Sequence, residues 1–403
     1  MARQMNSSMG NMSNIGHDQT LFRGGRRSAI ILGVVGLAVC AAMCGGAREA
    51  VMQGYLLAYL YWAAVALGSL SLLLLQFVSG GRWGITIRRL LEAGASTIPV
   101  LAVLFIPIAL QLQVLYPWAR PEAATDHLLQ LKAAYLNPTA FVIRTAICFV
   151  IWTVISRRVI HLSRMQDTDG SPAAASRLSK LSAPSLVIYA LSVTFAAVDW
   201  GMSLEPQWFS TIYGVIYAIG AALAALSFAV VVLSRLANRA PFDTFMRPET
   251  SGDFGNLSLA FTMFWTYVSL SQFLIIWAGH LPEERPWYWV RLHGGWEWVG
   301  IALAILQFAV PFLLLLSQAR KRTLRRLACV SLWILCMRFV DLTWLVAPAF
   351  SPDTVHLSWL TLPAMAGIGG VWVFFYLRHL ASAPLLPVKV AEADAHARGH
   401  GHD

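Results

Sequence analysis

Residues 210–234 read STIYGVIYAIGAALAALSFAVVVLS, a run without one charged side chain that stops at Arg235. A helix needs about 20 apolar residues to cross the hydrocarbon core of a bilayer, so this segment predicts one full crossing. Working outward from it, nine further runs have the same character, near 28–46, 54–78, 93–115, 139–160, 184–200, 256–279, 297–317, 327–346 and 359–380. The fifth in chain order, 184–200, is the shortest. Of the 403 residues, 57% are hydrophobic and only 12% charged. Soluble domains carry roughly 25% charged residues, so this chain cannot cover itself with a polar surface in water. The reading is an all-α integral membrane protein of about ten transmembrane helices, with the lipid bilayer as its solvent. Residues 1–27 and 381–403 read as disordered polar tails around a membrane domain at 28–380.

Charge placement tests that count independently. The net charge is +10, and the basic residues fall in short loops between the apolar runs. With the N-terminus inside, the inner segments hold Arg3, Arg23, Arg26 and Arg27, then Arg82, Arg88 and Arg89. Arg157, Arg158, Arg164, Arg177 and Lys180 follow, then Arg235, Arg239 and Arg247, then the cluster from Arg320 to Arg326, and finally Arg378, Lys389 and Arg398. The outer loops hold only Arg48, Arg120, Lys132, Arg285 and Arg291. This alternation follows the positive-inside rule and puts both termini on the cytoplasmic side. The basic balance therefore reports orientation, and no nucleic-acid motif accompanies it.

The outer loops are short and aromatic: Tyr116-Pro117-Trp118, Glu205-Pro206-Gln207-Trp208, and Pro282 through Trp289. Two readings stay open for them, an interfacial aromatic belt or a docked platform for a periplasmic partner. A faint internal repeat links the two halves. Pro206 follows Asp199 by seven residues, and Pro348 follows Asp341 by seven. Tyr116-Pro117-Trp118 finds its counterpart in Arg285-Pro286-Trp287, again four helices later. The offset suggests two four-helix bundles, 54–200 and 210–346, with 28–46 and 359–380 as peripheral helices, the repeats running parallel in the membrane.

A charge near the bilayer centre costs a few kcal/mol or more unless it is paired or hydrated. Arg338 and Asp341, three apart, share one face of the ninth helix. Arg144 lies in the outer third of the fourth, and Asp199 closes the fifth with Glu205 just beyond. Glu92 reads as the inner start of the third helix. These groups predict either structural pairs, Arg338 with Asp341 and Arg144 with Asp199, or a proton path in which Asp199 and Asp341 carry protons beside Arg144 and Arg338. Tyr267, Ser269, Ser271 and Gln272 would extend a polar line or simply bond between helices. No histidine sits deep in a helix as a haem ligand would, and the five cysteines form no metal or redox motif.

Three stretches carry a resemblance: AVDWGMSLEPQWFSTIYGV from Ala197, LSQFLIIWAGHLPEERPWYWVR from Leu270 with Gly294-Gly295-Trp296 after it, and MRFVDLTWLVAPAF from Met337. Over roughly 190–350 the chain resembles the second, smaller NrfD-like membrane subunit of alternative complex III, a bacterial quinol:electron-acceptor oxidoreductase. That subunit is often labelled quinone-binding subunit 2. The resemblance implies two four-helix bundles plus two peripheral helices in the bacterial inner membrane. It implies a non-catalytic subunit with no cofactor of its own. The partners it implies are a larger NrfD-like sister subunit that binds quinol, a periplasmic iron–sulfur subunit, cytochrome c subunits with haem c, and small membrane-anchored subunits. It also implies a proton half-channel, carried over here to Asp199, Glu205, Arg338 and Asp341. Two other classes stand beside it: a stand-alone secondary transporter, for which Pro99, Pro107 and Pro311 would mark broken helices, and a purely structural scaffold.

Overall fold

The computed structural model describes residues 22–169, 172–239 and 242–387. Among these residues every regular element is a helix. Nine helices are long and apolar enough to cross a membrane, which defines a multi-pass membrane protein. They are α1 (Arg23–Met43), α2 (Arg48–Ser79), α3 (Trp83–Leu110), α4 (Pro138–Asp169), α5 (Pro172–Trp200), α6 (Tyr213–Leu236), α7 (Pro248–Gly279), α8 (Trp296–Leu316) and α9 (Leu324–Val346). A further helix, α10 (Thr361–Leu380), occupies the tenth apolar run; Pro363, three glycines, Arg378 and His379 dilute its apolar content.

α10 lies antiparallel along α1. Gly36 abuts Gly367 and Pro363, Gly33 abuts Gly370, and Gly25 meets Leu377. A Cβ on Gly36 would stand 2.5 Å from the Gly367 nitrogen, so the two backbones touch. Small residues permit such approach where no hydrophobic force separates helix from lipid. The pairing brings Arg26 over the Phe374 ring at 5.6 Å, so the start of α1 and the end of α10 share one face of the molecule.

α2 is the most enclosed helix, with 83% of its apolar window buried, against 22% for α1. Its sequence is apolar on all sides, which suits a helix surrounded by protein. It packs against α3, α5 and α6. At the α2–α6 contact Gly68 faces the carbonyl of Ala221 so closely that a Cβ there would overlap it. Nearby the Tyr217 hydroxyl donates to Leu60 O at 3.0 Å. The lipid-facing side of α4 carries Val142, Ile143, Ile147, Val150 and Val154, all exposed.

Three boundaries correct the sequence reading. α1 begins at Arg23, so residues 23–27 are helical and only 1–21 of the expected tail lie outside the described residues, with 388–403 of the other. α5 begins at Pro172 and runs through Pro184; its first turns are too polar to register as an apolar run but keep helical backbone bonds. The third helical segment begins at Arg82, so Glu92 lies inside the helix, and Arg88 and Arg89 are buried side chains rather than loop charges. Arg89 pairs with Glu92 on its own helix and with Asp167 of α4, and Arg88 donates to Gln166 of α4; apolar periodicity cannot reveal the α4 partners.

Because the α2–α6 contact leaves no room for a methyl group, Gly68→Ala is expected to cost about 1–3 kcal/mol through overpacking. Gly45→Ala, where no neighbour lies within 4 Å, should change stability by less than about 0.5 kcal/mol. Thermal unfolding of the detergent-solubilised protein reads both; equal effects would discount the contact.

Candidate functional site

Three ion pairs gather the predicted residues. The first lies where α4 meets the end of α5. Arg144 grips Asp199 with two parallel bonds, Nε to Oδ2 and Nη2 to Oδ1, each 2.9 Å. Its third nitrogen donates to Tyr135 O at 2.9 Å, and the guanidinium stacks 3.8 Å over the Tyr135 ring. Tyr135, in the loop before α4, has its phenol pushed up to about 12 by burial and then by the negative charge of Asp199, so it stays protonated at physiological pH. The end of α5 is held further by the Tyr116 hydroxyl, which donates to Trp200 O at 3.0 Å.

The second pair was not legible from loop charge. Arg291, expected in an outer loop, is fully buried. Its Nη2 and Nη1 reach the two carboxylate oxygens of Glu205 at 2.7 and 3.2 Å. The same guanidinium donates to Trp287 O, Trp344 O and Leu345 O at 3.0, 3.2 and 2.9 Å and lies 3.6 Å over the Trp287 ring. Trp287 stacks on Trp208 with centroids 4.4 Å apart. One arginine thus joins the α5–α6 loop, the α7–α8 loop and the end of α9. The available signal was its place at the end of an aromatic run, where a guanidinium finds ring faces. These aromatic loops are accordingly docked.

The third pair is Arg338 with Asp341, one turn apart in α9, with side chains 1% and 3% exposed. Arg338 Nη1 contacts Asp341 Oδ2, while Nε and Nη2 find no acceptor among the described residues. The guanidinium rests where Gly220 of α6 has no side chain; a Cβ there would overlap it. Tyr213, at the start of α6, lies within electrostatic reach of Arg291, Glu205 and Asp341.

In the half toward the arginine-rich face, α6–α9 carry a series of further buried polar side chains. Ser331 lies on α9, Ser227 on α6, and Ser258 and Thr262 on α7, all buried with hydroxyls that lack a partner. Gln307 of α8 is 1% exposed with both amide atoms unpartnered. It sits on a π-helical stretch, Leu303–Ala309, a local widening frequent at functional sites. At the end of the series Lys321, itself buried, donates to Asn256 Oδ1 at 2.6 Å. From the start of α9, Ser331 stands about 10 Å deep and Arg338 about 20 Å.

The five predicted residues therefore fall into separate pairs, Arg144 with Asp199, Glu205 with Arg291, and Arg338 with Asp341, and no direct hydrogen bond is seen from one pair to the next. Tyr267 leaves the proposed polar line, being 69% exposed. Gln272 is buried and accepts from Ser210 Oγ at 3.1 Å, bonding between elements. A further network arises near the arginine-rich face: Arg89 pairs with Glu92 at 2.5 Å and with Asp167, and Ser163 donates to Glu92 at 2.6 Å. Among the described residues no three His, Cys, Asp or Glu side chains are grouped to hold a metal ion; His396, His400 and His402 lie outside them. The chain matches no model of a known protein family and no curated protein.

Truncating a fully buried ion-pair partner leaves other groups stranded, a loss of about 3–5 kcal/mol. Arg291→Ala should fall in that range. Glu205→Gln should cost less, because Arg291 keeps three carbonyl acceptors and gains an amide oxygen. Chemical or thermal unfolding orders the two; the reverse order would deny Arg291 its central place.

Proposed function

We propose that this chain is the second NrfD-like membrane subunit of a respiratory quinol:electron-acceptor oxidoreductase of the alternative complex III type, and that α6–α9 conduct protons to Asp341. The observation that carries the proposal is the buried Arg338–Asp341 pair, with two guanidinium nitrogens lacking a protein acceptor, on helices that carry further buried, unpartnered polar side chains. Donors and acceptors without partners at membrane depth are satisfied by water, and water between hydroxyl and amide groups carries protons. Arrival of a proton at Asp341 removes the carboxylate charge and loosens its pair with Arg338, and departure restores it. Tyr213 is within electrostatic reach of both Asp341 and the Glu205–Arg291 pair.

The packing supports the family reading. α2–α5 associate with one another, α6–α9 do likewise, α2 meets α6, and α1 and α10 pair alongside. This is the arrangement expected for two four-helix bundles with two peripheral helices. In this reading both termini are cytoplasmic in a bacterial inner membrane. The docked aromatic loops then face the periplasm, where the iron–sulfur and cytochrome c subunits would seat. Quinol is oxidised in the larger sister subunit, and the electrons travel through iron–sulfur clusters and haem c of the partners. The chain itself supplies assembly and the proton route.

Two measurements test this. After gentle solubilisation, the chain should migrate with haem-containing partners; migration alone would remove the complex. In an assembled complex, Asp341→Asn should lower proton release per electron. Unchanged stoichiometry at normal turnover would take Asp341 out of the route.

A further inference from the structure

We infer that the groove between the arginine-rich ends of α6 and α9 is a binding site for an anionic phospholipid. A cavity of about 440 Å³ opens there. Its wall is apolar, from Val231 of α6 and Ala328 and Leu332 of α9, and its mouth carries Arg235, Asn238 and Arg325. Arg325, Cys329 and Leu332 follow one another at helical spacing on one face of α9. That stripe differs from the buried face that holds Ser331 and Arg338, so the groove and the polar series do not share residues.

Charge selects the occupant. Arg235 and Arg325 are exposed, and among the described residues neither guanidinium has a hydrogen bond or ion pair. The mouth also contains the first turn of α9, a helix of 23 residues that starts without a side-chain cap. The Thr323 hydroxyl that would cap it donates instead to Ala319 O at 3.0 Å. Free N–H groups at a helix start attract phosphate oxygens. Basic pockets between membrane helices bind anionic headgroups. A phosphate between Arg235, Arg325 and this helix start would direct its acyl chain along Val231, Ala328 and Leu332. From Leu324 to Leu332 that path is about 12 Å long, running into the hydrocarbon layer as a lipid tail does. A water-soluble phosphate would leave the apolar wall unused.

Cys329 lines the groove and is exposed, while Cys336, also exposed, is not among the residues that line it. The test measures N-ethylmaleimide alkylation of both thiols in the intact protein, in neutral detergent. The protein is titrated with phosphatidylglycerol, phosphatidylcholine or inorganic phosphate. Phosphatidylglycerol should protect Cys329, and not Cys336, at a concentration roughly 30-fold below that of phosphatidylcholine, two arginines near an anionic headgroup being worth about that much. In the double variant Arg235→Gln, Arg325→Gln that preference should vanish, with the Cys336 rate unchanged as a report of intact folding. Equal protection by phosphatidylcholine, protection by inorganic phosphate alone, or an undiminished preference in the double variant would each overturn the site.

Discussion

A guanidinium removed from water must recover its solvation from the protein, or its burial costs several kcal/mol. The structure is organised around that constraint. Arg88, Arg89, Arg291 and Arg338 are all buried, and each is met by groups brought from another segment or another turn. Arg89 ties α3 to α4 through Asp167. Arg144 ties α4 to α5, and Arg291 ties two loops to the end of α9. Arg338 is the exception. Its carboxylate partner is on its own helix, and its two remaining nitrogens, packed against Gly220 of α6, have no acceptor among the described residues. Arg291 has every nitrogen engaged, Arg88 and Arg89 each leave Nε without a partner, and Arg338 leaves two nitrogens so.

The two halves use the same device at the aromatic face. The loop after α3 sends Tyr116 to the carbonyl of Trp200 at the end of α5. The loop after α7 sends Arg291 to the carbonyls of Trp344 and Leu345 at the end of α9. In each half an aromatic loop closes the final helix by occupying carbonyls that helix termini leave free. The two contacts are alike in kind but do not fall at matched positions, since the sequence repeat sets Tyr116 against Arg285 and the guanidinium at the second site is that of Arg291.

Much of the architecture was legible because lipid imposes a simple rule on composition, and every apolar run contains a helix. The pairs Arg338–Asp341 and Arg144–Asp199 were legible for the same reason, since an ionisable residue within such a run demands a partner. Arg291 escaped because its loop position is ordinary for a charge; only the docking of that loop buries it. The start of the third helical segment escaped because Arg88, Arg89 and Glu92 look like a boundary until Gln166 and Asp167 arrive from α4. Gln307 gave no signal, since the π-helical stretch that accompanies it has no side-chain signature.

The glycine seam between α1 and α10 has a consequence for biogenesis. α1 is the first of these helices to leave the ribosome, and the face that carries Gly33 and Gly36 finds its counterpart only when α10 is made, almost a whole chain later. At ordinary rates of synthesis that interval is on the order of half a minute. During it the earliest helix waits in the bilayer with its closest-fitting surface bare, held to the rest by its contacts with α2 alone or by insertion machinery. Assembly of this protein therefore closes as a ring does, by its two ends, and a nascent chain that stops before α10 leaves that ring open.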